Sequence, residues 1–170
     1  ESLDFASLKN VPILFVCENN FYSVYSQLDV RQARGREISV LAKSHGIKTF
    51  TGDGNNVDQV SELTSEAVKY IKSNNSPAFI EFDTFRWLEH CGPNGDDDLG
   101  YRKKGELDHW IKRDPIESYK SRMIENHKLT EKEIIKNIEV ICTEIDEAFK
   151  FAKESLFPDQ SILNQHIYKD

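Results

Sequence analysis

Apolar side chains recur along the chain with two spacings, and the switches between them set out the elements. Val11 to Cys17 is almost unbroken apolar and rich in branched residues, the texture of a short parallel strand covered on both faces. Ile47 to Phe50 and Pro77 to Phe82 read as a second and a third strand. Between the strands the spacing becomes helical. Ile38 to His45 closes at Gly46, the residue type that favours the C′ position. Val57 to Ser73 carries apolar residues at Val57, Val60, Leu63, Ala67, Val68 and Ile71. Glu1 to Lys9, with Leu3, Phe5, Ala6 and Leu8, reads as the tail of a helix entered partway. The βαβαβ rhythm implies an α/β fold with a parallel sheet, flanking helices and right-handed crossovers.

After Asp83 the texture changes. Residues 84–102 form a loop rich in Gly, Asp and aromatic residues, whose glycines and Asp96 to Asp98 suit a mobile lid. Lys103 to Arg113 reads as a helix stopped by Asp114-Pro115, and Ile116 to Asn126 as another. Thr130 and Glu133 have capping-box spacing and open a helix to about Ser155. Its apolar stripe is Ile134, Ile138, Ile141, Ile145 and Ala148. An extended tail is expected over residues 157–170. The 170 residues suffice for one domain with a real core: a βαβαβ part over 1–83, the loop over 84–102, and helices over 103–156.

Composition narrows the partners. The net charge of −7 disfavours nucleic acid or an anionic membrane as a main partner. Three cysteines without a CxxC pair suggest a reducing cytoplasm, with Cys17 buried on its strand and Cys142 on a helix. No transmembrane run or signal-peptide pattern is visible.

Candidate chemistry starts where the first strand stops, at Glu18-Asn19-Asn20. Ligands of open α/β sheets sit beyond the carboxyl ends of the strands. Amide oxygens there suit a hard cation such as Mg²⁺; a polar turn chosen for its backbone is the competing reading. The long loop from Asn19 to Arg34 leads into Arg31, Arg34 and Arg36, which either approach a phosphate or stay solvated. GDGNN at residues 52–56 reads as a tight turn with Gly at positive φ and Asn56 as helix N-cap. Asp96 to Asp98 reads as a solvated charge cluster. A zinc site at His90 and Cys91 lacks a second ligand pair of suitable spacing.

The stretch CENNFYSVYS resembles the second half of the thiamine diphosphate motif found in alpha subunits of the decarboxylating component of 2-oxo acid dehydrogenases. FDTFRWLEHCGPNGDDDLGYR and the RDPI of Arg113 to Ile116 resemble the active-site loop of the same family and the segment after it. The resemblance runs over essentially the whole chain and matches the later half of the family's thiamine diphosphate-binding fold. It implies that Asn20, through its side-chain oxygen, and Tyr22, through its backbone carbonyl, hold Mg²⁺ and thereby thiamine diphosphate. It further implies loop roles for Arg86, His90, Tyr101 and Arg102, with Arg86 and His90 at the reaction and Arg102 toward the cofactor. The phosphorylated Ser of animal relatives is replaced here by Cys91, so that regulation is not implied.

The function implied is oxidative decarboxylation of a 2-oxo acid and acyl transfer to lipoyl. The expected partners are a beta subunit in an alpha2beta2 assembly and a lipoyl acyltransferase component. The resemblance places the Mg²⁺-binding Asp upstream of Glu1 and an activating Glu on the related subunit, so the isolated chain is expected to be inactive. The alternative is a truncated, non-catalytic assembly module that keeps the fold.

Overall fold

A computed structural model describes residues 1–163, 165 and 167. The chain divides into two compact units, Glu1–Ser121 and Arg122–Asp170.

In the first unit, helix α1 (Ser2–Leu8) leads into strand β1 (Leu14–Asn19). The segment expected to be an irregular loop contains a two-stranded antiparallel ribbon, β2 (Tyr22–Ser23) and β3 (Ser26–Gln27), followed by a 3-10 turn at Leu28–Val30. Helix α2 (Ile38–Ser44) ends at Gly46, which takes φ +76° as its sequence position predicts. Strand β4 (Lys48–Asp53) absorbs Gly52 and Asp53, which the sequence assigns to a turn. Helix α3 (Val57–Asn74) opens on Asn56, whose side chain accepts the Gln59 N–H, so the expected N-cap is present. Strand β5 (Ala78–Asp83) completes the sheet. Helix α4 (Glu106–Ile111) starts later than its apolar pattern suggests, because Gly105 stands before it at φ +79°.

The sheet is parallel, with order β1-β5-β4. Its register brings Asn19, Asp83 and Asp53 level at the carboxyl ends. Residues of β5 alternate between two cores. Phe79 packs with Ala42 and Ile47 under α1 and α2, while Ala78 packs with Ala67 and Ile71 under α3.

The central, doubly covered strand is therefore β5, not β1. β1 lies at the edge, and Val16, on the α3 face beyond Leu14, is 56% exposed. Cys17 is half-buried against the Phe79 core. Burial pushes its thiol above the ordinary value, with Glu81, Asp83 and Glu18 adding to the shift.

Helix α5 (Pro115–Glu125) crosses the boundary between the units, and α6 (Glu131–Glu154) forms most of the second. The predicted capping box is present. The Thr130 hydroxyl accepts the Glu133 N–H, and the Glu133 carboxylate accepts the Thr130 N–H at 2.8 Å. α6 carries Cys142 and buries none of its residues, so Ile138, Ile141 and Ile145 stand exposed. The expected tail contains a 3-10 turn at Gln160–Ile162; Asn164, His166 and residues 168–170 lie outside the described residues. No helix among the described residues is long and apolar enough to cross a membrane.

Candidate functional site

The carboxyl end of β1 is shaped by two successive asparagines. Asn19 Oδ1 accepts the Phe21 N–H at 3.1 Å, and Asn20 Oδ1 accepts the Tyr22 N–H at 3.0 Å. Asn side chains mimic a backbone turn in this way. Here they accompany Phe21 at φ +62°, a conformation that bulky residues seldom adopt. Asn19 is anchored twice more. Its carbonyl accepts the Thr84 N–H at 2.9 Å, and its Nδ2 donates to Glu81 Oε1 at 2.8 Å.

Tyr22 is held from its far end. Its hydroxyl donates to Glu106 Oε2 at 2.5 Å, and its ring meets Phe85 and Tyr101 edge-on. Burial, followed by the Glu106 hydrogen bond, drives the phenol far above its ordinary pKa, so it remains a donor. Beside the turn a cavity of about 560 Å³ opens at the strand ends, lined by Asn19, Phe21, Arg34, Arg36, Glu81 and Asp83 among others. Two of the three candidate arginines thus line it. Arg31 instead donates to Ser26 Oγ at 3.0 Å. The Asp83 carboxyl is raised by burial, then by the neighbouring Glu81 and Asp53 charges.

The loop is organised on Asp96, which the sequence reading leaves in a solvated cluster. Asp96 is fully buried, while Asp97 and Asp98 are exposed. Arg102 Nη2 lies 2.7 Å from Asp96 Oδ1, off the hydrogen-bonding axis. The Tyr101 hydroxyl donates to Asp96 Oδ2 and accepts from Arg86 Nη2 at 2.9 Å and Arg102 Nε at 3.1 Å. Arg86 also donates to the Val24 carbonyl at 3.1 Å, and Arg102 to the Leu88 carbonyl at 3.3 Å. The Arg102 guanidinium stacks over the Phe85 ring at 4.8 Å. Burial and the Asp96 hydrogen bond raise the Tyr101 phenol. Arg86 Nε and Arg102 Nη1 are buried without a partner among the described residues.

The structure therefore brings Arg86, Tyr101 and Arg102 together, with Tyr101 against Tyr22. His90 is exposed and takes no part in this cluster. Among the described residues no group of three or more His, Cys, Asp or Glu is placed to hold a metal. The polar atoms in the Asn20 turn are amide and backbone oxygens, whose chemistry suits a hard divalent cation completed by other oxygen ligands.

GDGNN has a different part. Asp53 accepts the Asn55 N–H at 2.9 Å and Arg113 Nη2 at 2.6 Å, and Asn55 Nδ2 donates to the Arg113 carbonyl at 2.8 Å. The motif is thus a joint to the RDPI segment, as a structural turn should be. Its glycines do not take positive φ, contrary to the sequence reading. Gly54 is required by proximity: a Cβ there would lie 2.8 Å from the Asp83 carbonyl oxygen.

Sequence reasoning missed Glu81, Asp96 and Glu106. Glu81 had a signal, being a lone charge within the apolar run AFIEF.

Comparison with known proteins gives the family. The family described as "Dehydrogenase E1 component" matches residues 1–161. A pyruvate dehydrogenase E1 component subunit alpha of Rickettsia felis is 30% identical over 99% of this chain and 50% of its own length. The chloroplastic pyruvate dehydrogenase E1 component subunit alpha-3 of Arabidopsis thaliana is 32% identical, covering 100% of this chain and 39% of the relative. The mitochondrial 2-oxoisovalerate dehydrogenase subunit alpha of Mus musculus is 30% identical, over 98% and 37%. The chain spans half or less of the length of these relatives. Because the family's match runs from residue 1 to 161, across sheet, asparagine turn and loop, the chain belongs to the dehydrogenase E1 component family.

Proposed function

We propose that the chain is the later half of an alpha subunit that binds Mg²⁺-thiamine diphosphate for oxidative decarboxylation of a 2-oxo acid and acyl transfer to lipoyl. The observation that carries this reading is the paired asparagine turn at the carboxyl end of β1, with Tyr22 fixed at both its N–H and its hydroxyl. Asn20 Oδ1 and the Tyr22 carbonyl serve as Mg²⁺ ligands. Burial raises the Asp83 carboxyl most, and the Glu81 and Asp53 charges gathered at the strand ends add to it; their negative charge favours a cation nearby. When bound, thiamine diphosphate supplies the stabilised carbanion on which the decarboxylation depends.

The chain's own residues position and screen. Arg102, buried in the Asp96 cluster with Nη1 still unpartnered among the described residues, is assigned to the cofactor side by the family resemblance. Arg86 secures the loop beside the reaction and His90 moves a proton at the substrate or lipoyl end. A beta subunit and a lipoyl acyltransferase component complete the enzyme, so this chain alone turns nothing over. The second reading, a non-catalytic assembly module, has the uncovered apolar face of α6 on its side.

Calorimetric titration of thiamine diphosphate with Mg²⁺ into the complete alpha–beta assembly separates the two. Wild-type binding supports the enzyme. Asn20→Ala should weaken binding by about tenfold or more, while Asp53→Ala stays within about threefold. Loss with Asp53→Ala but not with Asn20→Ala would overturn the assignment, and no uptake by the wild type would favour the assembly module.

A further inference from the structure

Glu81 is the charged residue among the five buried positions that open β5. A carboxylate there is costly unless its oxygens are used. Both are. Oε1 accepts Asn19 Nδ2–H and Oε2 accepts the Ser39 backbone N–H, each at 2.8 Å. The donors come from two elements, the end of β1 and the first turn of α2, so Glu81 ties both to the central strand.

Two donors facing one side chain demand two acceptors. The carboxylate offers a separate oxygen to each; a glutamine in the same pose would turn an NH₂ toward one of the donors. The same tie fixes the Asn19 amide. With Nδ2 on Glu81, only Oδ1 remains for the turn, and it accepts the Phe21 N–H. If the amide turned over, its NH₂ would oppose that N–H, and Phe21 would lose its support at φ +62°.

We infer that Glu81 is the positioning residue of the turn from Asn19 to Tyr22, setting the direction in which Asn20 Oδ1 and the Tyr22 carbonyl face. Its consequence for cofactor affinity rests on the reading above; its hold on the turn does not.

The test uses the complete alpha–beta assembly carrying Glu81→Gln, alone and together with Asn19→Asp. In the pair, the glutamine NH₂ donates to the new carboxylate, its oxygen keeps the Ser39 N–H, and the second carboxylate oxygen keeps the Phe21 N–H. Peptide-resolved hydrogen exchange without cofactor should show the 19–23 amides of Glu81→Gln exchanging about tenfold faster, with those of α3 unchanged. Thiamine diphosphate affinity should fall by about tenfold. The double variant should restore both to within about threefold of the wild type. Unchanged exchange in the turn, equal acceleration in α3, or no recovery in the double variant would overturn the inference. If wild type takes up no thiamine diphosphate, the cofactor reading falls, while the exchange measurements still decide the role of Glu81.

Discussion

Asp96 and Arg102 form a sealed ion pair: their closest atoms are 2.7 Å apart, and the two side chains are 0% and 1% exposed. Removing one charge leaves the other uncompensated in the interior. Asp96→Ala should therefore destabilise the fold by about 3–5 kcal/mol. Asp97→Ala and Asp98→Ala, in the same acidic run but exposed, should stay within about 0.5 kcal/mol. Chemical denaturation of the three variants tests the contrast; equal losses would remove Asp96 from its special place.

The cluster also divides the loop. Arg86 and the segment from Asp96 to Arg102 are tied to one another and to the Val24 carbonyl, whereas His90 and Cys91 are exposed. Thiamine diphosphate should therefore slow hydrogen exchange between Leu88 and Gly95 in the assembled enzyme, with little change at Tyr101 and Arg102. His90→Ala should spare cofactor affinity and depress acyl transfer to lipoyl more than decarboxylation. Protection that changes uniformly from Arg86 to Arg102 would show the loop closing as a whole.

Gly54 and Gly95 make a second contrast. A Cβ on Gly54 would press on the Asp83 carbonyl oxygen at 2.8 Å and on Phe82 and Thr84 at 3.2 Å, all of them close to the backbone of the strand end. Gly54→Ala should cost about 1–3 kcal/mol. Around Gly95 nothing lies within 4 Å, so Gly95→Ala should be close to neutral. Thermal unfolding distinguishes them.

Much of this architecture was legible in the sequence. The helices follow from strong periodicity, and the Thr130–Glu133 and Asn56 caps follow from local chemistry, since both partners lie within one turn. Long-range relations were not legible. Three consecutive aspartates look alike until Tyr101, Arg102 and Arg86 choose one of them. The apolar run at β1 announces a strand but not its rank in the sheet, which depends on how β5 inserts. At the candidate site, Asn20 and Tyr22 could be read from a motif. Glu81 and Glu106 act on them from 62 and 84 residues away from Asn19 and Tyr22 respectively, beyond the reach of local pattern.

The capping box carries a pH signature. Hydrogen bonds from the Thr130 hydroxyl and N–H hold the Glu133 carboxyl below its ordinary value. A depressed folded-state pKa contributes stability above the unfolded value, and that contribution is lost as pH falls through the folded one. The helicity of α6 should thus weaken in acid below the usual glutamate range, and Glu133→Gln should flatten that dependence. Thr130→Ala should cost about 1 kcal/mol at neutral pH. Circular dichroism across an acid titration measures both; an identical acid profile for Glu133→Gln would assign the loss elsewhere.

Within the sheet, β1 and β4 do not touch; among the described residues each pairs only with β5, which comes last in the chain. During synthesis both outer strands leave the ribosome before Ala78–Asp83, the strand they share as partner among the described residues. Every ladder bond of the sheet is therefore a non-local contact, which slows folding and lengthens the interval in which those segments can meet other chains. A truncation or a strong translational pause before residue 78 would strand both, so the yield of this protein hangs on the prompt arrival of one six-residue strand.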